Sequence, residues 1–459
     1  MIRVDAAETR RKVEQAKAKI ESGRPARLVG FEAVEIQRFV IASSRPIAMQ
    51  GACEALKGFD QRNSERPETI FAGGGRGLML VDADRVSSCI QQLRDDFLAR
   101  TVGLSLAVAE VPYDPENERD SLRWLRLEQQ VAHDACDPEP IDLAAFSGRS
   151  CADCRARPGV KPSPKPEAPA DEWVCERCDR LVKLGRETQH EAMERWTLKD
   201  VSEDGLVAVL SADGNSLGRF FHALGSLVAL RAGSRTVSEI FQTAHVAALH
   251  RAGNPKHIAP VTGGDDIKVF MPPTAALDYV TALIHSVEQQ ASGAGDVGGL
   301  LTGAPAERLA GLGVGVGLFI APYQTPASRL FDLAHELEDD AKRDRSVRSA
   351  VCFAIQRTDG EPDDAARETV RGTEWPERVR VARLLRDMVP RGQHAAIAAA
   401  WELDEAERNN QILYQIARSK AWQLWYQTCG VDWRDRKEAL RLLSTKGVLS
   451  LARLGQRAS

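Results

Sequence analysis

Residues 260–271, PVTGGDDIKVFM, place two adjacent aspartates at a glycine turn between two apolar runs. Gly-Gly and Asp-Asp pairs suit tight turns, so this stretch predicts a β-hairpin. Residues 69–82, TIFAGGGRGLMLVD, have the same form and predict a second hairpin. Aligning the two turns places residues 73–76 (GGGR) opposite residues 263–266 (GGDD), so one hairpin carries adjacent carboxylates and the other does not.

The elements predicted around the two hairpins follow one order, which is strand, helix, hairpin, helix, strand. Around the first hairpin, strands are expected at residues 27–31 and 104–111. Helices are expected in the stretch that ends at residue 55 and at residues 86–97. Around the second, these strands and helices are expected at residues 206–211, 217–230, 275–290 and 312–320, with a further helix at 327–342. The repeated order predicts a duplicated ferredoxin-like unit rather than an array of short repeats.

The chain has 459 residues, which is too long for a single ordinary core. The last part of the chain shows helical periodicity and few turn residues, which is typical of an all-helical domain. We therefore expect an α+β protein with five parts. They are an N-terminal helix (1–25), a first ferredoxin-like domain (26–145), a cysteine-containing linker domain (146–200), a second ferredoxin-like domain (201–358) and a helical C-terminal domain (359–459).

The composition is that of a globular protein, with 43% hydrophobic and 27% charged residues. A formal charge of −4 argues against a non-specific nucleic-acid binder, which would carry a strong basic excess. The N-terminal residues are charged and lack the apolar segment of a secretory signal. The longest apolar stretch, residues 312–321, is about half of the ~20 residues that a membrane span needs. These features predict a cytoplasmic protein that does not enter a membrane.

Four of the nine cysteines form two Cys-x-x-Cys pairs, Cys151 with Cys154 and Cys175 with Cys178. Two such pairs in one short segment predict a tetrahedral zinc ribbon with four cysteine ligands. Because four thiolates leave no open coordination position, the predicted role of Zn²⁺ is structural. Four unrelated cysteines are a weaker interpretation, and a redox pair is weaker still because neither pair opens a helix after a strand.

Asp213 is expected just after the buried strand at residues 206–211. A carboxylate at such a position is costly unless it binds a cation or a helix N-terminus. In a ferredoxin-like sheet the first strand neighbours the hairpin, so we expect Asp213 to lie close to Asp265 and Asp266. Hard oxygen ligands suit Mg²⁺ or Mn²⁺. Two such ions about 3.5–4 Å apart would activate a 3′-hydroxyl and neutralise a triphosphate for in-line displacement.

Each of these motifs has a purely structural interpretation when it is taken alone. A GGDD turn is a common hairpin, and by itself it is more often structural than functional. Residues 212–218, ADGNSLG, are also a weak motif alone, although their glycines let backbone N–H groups approach phosphates and the following helix start favours anions. Found together in one predicted fold unit, the two motifs favour a metal-dependent nucleotidyl transfer site.

The combined motifs resemble the large polymerase/cyclase subunit of type III CRISPR effector complexes, and more closely its stand-alone relatives with a second palm domain. The matching features are an Ile-Gln-x-Phe helix at residues 36–39, the two cysteine pairs, DGN-x-LG at 213–218, GGDD at 263–266 and the helical C-terminus. The resemblance spans residues 26 to the end of the sequence. It implies two palm domains of the nucleotide cyclase/polymerase type, a zinc ribbon insertion and a catalytic second palm.

In that family the GGDD palm converts ATP into cyclic oligoadenylate, a second messenger that activates effector nucleases or membrane proteins in antiphage defence. The resemblance implies that Asp213, Asp265 and Asp266 are the catalytic ligands of Mg²⁺ or Mn²⁺. The nucleotide contacts that it implies are Gly214, Asn215, Ser216, Leu217, Gly218, Gly263 and Gly264. Lys342 stands where related cyclase folds place a lysine that contacts the triphosphate, although a charged helix end accounts for it equally well.

Three departures from the family pattern change what is expected. No His-Asp nuclease domain precedes the first palm in this sequence, so DNA cleavage is not expected. The common DxDN arrangement is Asp213-Gly214-Asn215 here, which alters the ligand set of the second metal. Gly75 and Arg76 replace both hairpin carboxylates of the first palm, which should therefore not bind catalytic metal. Arg76 then either contacts a phosphate of the acceptor nucleotide or is a solvated turn residue.

The leading hypothesis is a nucleotidyltransferase that makes cyclic or short linear oligonucleotides from ATP, with the first palm supplying the acceptor pocket. The partners that this implies are an RNA or protein activator, an effector that responds to the product, and a homo-oligomer or CRISPR-like complex. The rival hypothesis is a non-catalytic subunit that senses nucleotide or RNA, and the adjacent GGDD carboxylates argue against it. An RNA polymerase is a weaker alternative because no basic template channel is evident.

Overall fold

A computed structural model of the chain describes most of its residues. The described residues are 4–18, 20, 24–43, 45–101, 104–136, 149–155, 157–163, 172–189, 196–295, 297–356, 367–401, 403–443, 446–452 and 454. The expected domain boundaries at residues 145 and 358 lie outside this set. Helix α1 (Ala6–Ala18) precedes the first domain and packs against a long helix of the second.

The first palm is a four-stranded antiparallel sheet with strand order β2-β3-β1-β4. Its strands are β1 (Ala26–Ala33), β2 (Thr69–Gly73), β3 (Arg76–Asp82) and β4 (Leu106–Pro112). Its helices are α2 (Ile36–Ile41) and α3 (Pro46–Ser64) before the hairpin, α4 (Val86–Thr101) after it, and α5 (Glu118–Asp134) after the last strand. This strand order is that of a ferredoxin-like fold, as the repeated pattern predicted.

The cysteine-containing segment is attached to the first palm through a close helix crossing. It contains two short strands, β5 (Lys161–Pro162) and β6 (Trp173–Val174), followed by α6 (Glu176–Gln189). Contrary to the sequence expectation, the second cysteine pair therefore does open a helix after a strand. A Cβ atom on Gly51 of α3 would lie 1.9 Å from the carbonyl oxygen of Leu181 on α6. A Cβ atom on Gly185 of α6 would lie 2.1 Å from the carbonyl oxygen of Ile47. The two glycines therefore allow the helix backbones to touch, and any larger residue at either position would separate them.

The second palm repeats the first and adds two strands. Its strands are β7 (Leu206–Asn215), β8 (Ile258–Gly263), β9 (Asp266–Met271), β10 (Gly313–Pro322), β11 (Ala350–Ile355) and β12 (Glu368–Arg371), in the order β12-β11-β10-β7-β9-β8. Its helices are α7 (Leu217–Ala223), α8 (Leu227–Arg251), α9 (Pro273–Ala294), α10 (Ala304–Ala310) and α11 (Ala327–Lys342). The fragment β8-β9-β7-β10 has the same order as the first palm, which confirms the duplication.

Both faces of the central part of the second sheet are buried, and its inner strands alternate between two apolar layers. Ala208, Leu210 and Ala212 of β7 belong to the core that includes α8 and α9. Val209 belongs to a second core, in which Phe270 of β9 contacts Phe331 of α11 with ring centroids 4.5 Å apart. The second core also contains residues of the first palm, so the two palms share a continuous apolar interior.

The second sheet differs from the sequence prediction at two places. Strand β7 continues to Asn215 rather than ending at residue 211, because Gly313 and Val314 of β10 extend the ladder opposite Asn215 and Gly214. Strand β12 lies in the region that was expected to be helical from residue 359 onward. It pairs antiparallel with β11 and buries Val370, so the sheet gains an outer strand before the helical domain begins.

The C-terminal domain is helical, as predicted. Its helices are α12 (Trp375–Met388), α13 (Arg391–Ala400), α14 (Glu405–Arg418), α15 (Lys420–Thr428), α16 (Arg436–Leu442) and α17 (Lys446–Ala452). Trp425 donates its indole N–H to the carbonyl of Val381 at 3.2 Å, and the Tyr426 hydroxyl donates to the carbonyl of Ala439 at 2.7 Å. Both rings are fully buried, so these aromatics pack the core and satisfy their polar atoms there. Within the described chain, none of the helices has the length and apolar composition needed to cross a membrane.

Candidate active site

Three carboxylates lie at one end of the second palm. Asp213 lies near the end of β7, Asp265 lies in the turn between β8 and β9, and Asp266 begins β9. In the β7–β9 ladder Ala212 pairs with Ile267, so the adjacent Asp213 and Asp266 both lie on the other face of the sheet. Asp265 lies near enough to Asp213 for the charge of one carboxyl to affect the other. The structure thus brings together the three residues that the two sequence motifs supplied separately.

Burial and mutual repulsion disfavour the ionised form of the two hairpin carboxyls. Removal from solvent, followed by the negative charge of Asp213, raises the pKa of Asp265 well above its ordinary value. The same two causes raise the pKa of Asp266 to about 6, although Lys268 opposes the shift. A divalent cation would relieve this repulsion, and carboxylate oxygens are the ligands that Mg²⁺ and Mn²⁺ prefer. The chemistry of these donors therefore suits the metal that the sequence predicted.

Two side chains of α11 complete the charge arrangement at this site. The Lys342 ammonium donates to Asp213 Oδ2 and also to Glu338 Oε1, the latter at 2.5 Å. Burial alone would lower the pKa of Lys342, but the two carboxylates raise it above its ordinary value. Burial alone would raise the pKa of Glu338, but His335 and the two nearby lysines lower it to about 2. Both side chains therefore remain charged at neutral pH.

A second polar layer lies directly beneath the carboxylates. Ser211 of β7 donates its hydroxyl to Glu338 Oε2 at 2.5 Å, and Lys268 of β9 donates to the Ser211 hydroxyl oxygen at 3.0 Å. Ser211 and Lys268 are paired in the β7–β9 ladder, and Ser211, Lys268 and Glu338 are all buried. This layer links the three elements that carry or flank the aspartates. Because every member has a charged or hydrogen-bonded partner, the layer holds β7, β9 and α11 in a fixed relation.

A glycine stripe on β10 allows α11 to approach the sheet. Gly315 pairs with Asp213 and Gly317 pairs with Ser211 in the β7–β10 ladder. A Cβ atom on Gly315 would lie 2.6 Å from Lys342 Cγ, and one on Gly317 would lie 1.9 Å from the carbonyl oxygen of Ala334. The missing side chains therefore leave the space through which Lys342 and Glu338 reach β7.

The glycines expected to contact nucleotide fall into two groups. Gly218, Gly263 and Gly264 have no atom within 4 Å of the position that a Cβ would take, so their backbone faces open space. In contrast, a Cβ on Gly214 would lie 2.4 Å from the Leu217 side chain, and Leu217 is itself part of the apolar core. Gly214 and Leu217 therefore pack the strand against α8 rather than forming an open turn. Of the glycines expected to let phosphate groups approach the backbone, only Gly218, Gly263 and Gly264 are therefore open to them.

Asn215 and Ser216 occupy the boundary between strand and helix. Asn215 donates its side-chain amide to the carbonyl oxygen of Arg348 at 3.0 Å, which ties β7 to the segment after α11. Ser216 is exposed and takes a left-handed backbone conformation with φ of 66°. That conformation is uncommon for a residue with a side chain, and such strain is often found at functional sites.

In the first palm, a cationic side chain occupies the position that corresponds to the metal site of the second palm. Glu32 of β1 pairs with Arg76 of β3 in the ladder, and the two side chains form an ion pair of 2.6 Å. Gly75, which stands where the second palm has Asp265, has a φ of +75°, and a Cβ there would lie 2.6 Å from Ile36 Cδ1. Asp60 of α3 accepts the Gly75 N–H at 2.9 Å. These contacts support the expectation that this copy binds no catalytic metal.

The four predicted zinc ligands lie together in the segment between the palms. The sulfur atoms of Cys151, Cys154, Cys175 and Cys178 all lie within 4.8 Å of one another. Cys151, Cys175 and Cys178 are buried, and Asp153 between the first two cysteines forms an ion pair of 3.2 Å with Arg45. Four converging thiols in a small buried cluster fit a tetrahedral Zn²⁺ site.

Glu338, Lys268 and the β10 glycines were not identified as site residues from the sequence. Glu338 lies in the apolar stripe of α11 together with Ala334, Leu337 and Ala341, and a charged residue in such a stripe could have marked it. The spacing of Glu338 and Lys342 by four residues is a second indication. Lys268 follows the hairpin carboxylates by two residues, and the structure buries it beneath them.

Comparison with known proteins agrees with this architecture. Residues 206–352 match the family model described as the second palm domain of Cas10/Cmr2. This segment of the chain is a Cas10-like second palm domain. The resemblance to the large subunit of type III CRISPR complexes is thereby confirmed, together with the predicted α+β fold. Comparison with curated protein sequences gives no significant match.

Solved structures of Csm1 share the fold of this chain along almost its whole length. Csm1 of T. onnurineus has 17% identity and a TM-score of 0.60, with 97% of this chain and 72% of Csm1 covered. The apo Csm1–Csm4 cassette has 17% identity and a TM-score of 0.60, with 97% and 73% covered. The Csm1–Csm4 cassette in complex with cA4 has 16% identity and a TM-score of 0.58, with 97% and 72% covered.

Proposed function

We propose that this protein is a metal-dependent nucleotidyltransferase that joins ATP molecules into cyclic or short linear oligoadenylates. The observation that carries this proposal is the convergence of Asp213, Asp265 and Asp266 at the end of the second palm. The first palm lacks this convergence, because Gly75 and Arg76 stand at the corresponding positions. We therefore assign catalysis to the second palm and acceptor binding to the first.

The three aspartates would hold Mg²⁺ or Mn²⁺, which when bound neutralises phosphate charge and activates the attacking hydroxyl. In the reaction, an acceptor hydroxyl oxygen forms a bond to the α-phosphorus of ATP and the bond to pyrophosphate breaks. The open backbone at Gly218, Gly263 and Gly264 gives phosphate groups room to approach, and Lys342 supplies a positive charge beside them. Positioning and charge neutralisation would then provide most of the rate, with little further side-chain chemistry.

The ligands of the similar structures support ATP as the substrate. Csm1–Csm4 cassettes have been solved with AMPPNP, with pppApA, with pppApApA, and with cA3 and cA4. For those proteins, the ligands form a series from an ATP analogue through linear to cyclic oligoadenylates. The shared fold and the three aspartates lead us to propose the same substrate class for this chain.

The same comparisons suggest partners. Csm1 assembles with Csm4 in the type III-A interference complex, and we propose a corresponding protein subunit, with RNA or protein as activator, for this chain. The product would act on a downstream effector in cytoplasmic antiphage defence. Arg76 would contact the acceptor nucleotide once released from Glu32, and the four cysteines would hold a structural Zn²⁺.

The function is tested by incubating purified protein with labelled ATP and Mg²⁺ or Mn²⁺, and resolving the products by mass spectrometry. Asp265→Asn/Asp266→Asn keeps the shape of the site and removes its charge, so oligoadenylate should disappear. Asp339→Asn removes an exposed carboxylate from α11 and should leave product formation unchanged. If the wild type binds ATP but forms no product, with and without added RNA, the non-catalytic sensing scaffold is favoured instead.

A further inference from the structure

The ammonium group of Lys342 lies within the carboxylate site itself. It donates simultaneously to Asp213 of β7 and Glu338 of α11, which are on different elements. The side chains of Lys342 and Asp213 are each 25% exposed, so this ion pair is only partly screened by water. A positive charge of the protein itself therefore neutralises the strand carboxylate.

The path of the Lys342 side chain depends on one glycine. Its Cγ and Cε would lie 2.6 and 3.2 Å from a Cβ atom on Gly315, so the lysine crosses β10 in the space that the glycine leaves. Glu338 lies one turn earlier on the same helix and is fixed by Ser211, so it offers the ammonium a second acceptor close by. Lys342 can thus leave Asp213 while keeping one ion pair.

The first palm shows a related arrangement that leaves no place for a metal ion. Its strand carboxylate, Glu32, is also neutralised by a cation, but the cation is Arg76 from the hairpin itself. Arg76 stands where the second palm has Asp266, so the cation has replaced a potential metal ligand. In the second palm the cation comes from α11, and all three aspartates are retained. The cation there can therefore be exchanged for a metal ion.

We propose that Lys342 is an exchangeable counter-ion that competes with the divalent ion for Asp213, and that triphosphate binding draws it away. The proposal rests on the proposed function and deepens it. When phosphate groups enter, they offer Lys342 new acceptors and free Asp213 for the ion. Nucleotide and metal then bind cooperatively, and the site binds ions more weakly in the absence of nucleotide. Lys342 would thus couple ion loading to substrate arrival.

The test measures Mn²⁺ binding to ion-stripped protein by calorimetry, first without nucleotide and then with a non-hydrolysable ATP analogue. Lys342→Gln should bind Mn²⁺ about tenfold more tightly than wild type without nucleotide, a change of about 1.4 kcal/mol. With the analogue present, the affinity ratio should shrink toward one. Arg343→Gln is the matched control, because it removes the same charge from a side chain that is 79% exposed, and should leave affinity within about twofold.

A second variant tests the contact without changing any charge. Gly315→Ala places a methyl group where Lys342 crosses β10 and should also tighten Mn²⁺ binding without nucleotide. Equal or weaker Mn²⁺ affinity in folded Lys342→Gln would overturn the proposal, as would a failure of both proteins to bind Mn²⁺. Product formation is measured separately. If wild type forms product but Lys342→Gln does not bind Mn²⁺ more tightly, counter-ion exchange alone is refuted. If Lys342→Gln binds Mn²⁺ more tightly but wild type forms no product, only the proposed oligoadenylate synthesis is refuted.

Discussion

The distance between α11 and the sheet should control both the stability and the turnover of the second palm. Gly317→Ala is the change that alters this distance most directly. In the native protein, a Cβ on Gly317 would lie 1.9 Å from the carbonyl oxygen of Ala334 and 2.5 Å from the backbone nitrogen of Glu338. Both atoms belong to helix backbone and cannot rotate away. To restore a contact distance of about 3.4 Å, the helix must retreat by about 1.5 Å.

That retreat has two measurable consequences. Forcing an extra methyl group into a packed interior typically costs about 1–3 kcal/mol of folding free energy, which urea unfolding would detect. The same movement takes Glu338 away from Ser211 and Lys342 away from Asp213. A misplacement of about 1 Å at a reacting centre can lower turnover about 100-fold, so ATP conversion should fall by that order.

Gly293→Ala provides the control, because Gly293 lies in α9 with no atom within 4 Å of its Cβ position. An alanine there should leave turnover unchanged and should stabilise the helix by up to about 1 kcal/mol. If Gly317→Ala kept both wild-type stability and wild-type turnover, the idea that the glycine stripe sets the position of α11 would be refuted.

Three further predictions concern the first palm and the cysteine segment. Burial raises the pKa of Asp60 from 3.8 to about 7, so its stabilising contribution is present below pH 4 and is lost as the pH rises through 7. Asp60→Asn should gain stability relative to wild type between pH 4.5 and 8, by at most about 4 kcal/mol, and urea midpoints that move the other way would contradict this. Chelation of the metal bound to Cys151 and its partners should lower the unfolding temperature, and Cys175→Ala should abolish the response to chelator. Gly51→Val should separate α3 from α6 and increase proteolysis of the cysteine segment, whereas Gly392→Ala, in open space, should not.

Much of the fold could be predicted from the sequence because local patterns determine it. The two glycine hairpins and the matching order of elements predicted the duplicated ferredoxin-like units, and the two Cys-x-x-Cys pairs predicted the cluster. The extent of β7 was not predicted, since Gly214 and Asn215 look like turn residues and are held in the sheet by pairing with β10. Local propensity was overruled there by a strand about 100 residues away.

The site was only partly accessible for a related reason. Asp213, Asp265 and Asp266 belong to short motifs, whereas Glu338, Ser211 and Lys268 become neighbours through the packing of α11 on the sheet. Such contacts depend on which face of α11 packs on the sheet and on how closely the helix approaches it. Neither can be predicted from a local sequence pattern. That distance is set by glycines that a sequence pattern assigns only to an apolar strand.

Strand β8 lies at the end of the second sheet, and α3 of the first palm packs against it. Ile258 of β8 shares an apolar core with Leu56 and Ala52 of α3. A fragment beginning at residue 201 would uncover this surface together with the outer edge of β8, which could then pair with another chain. The second palm should therefore aggregate when expressed alone. The first palm lacks the hairpin carboxylates, but it shields this apolar surface of the second palm from solvent.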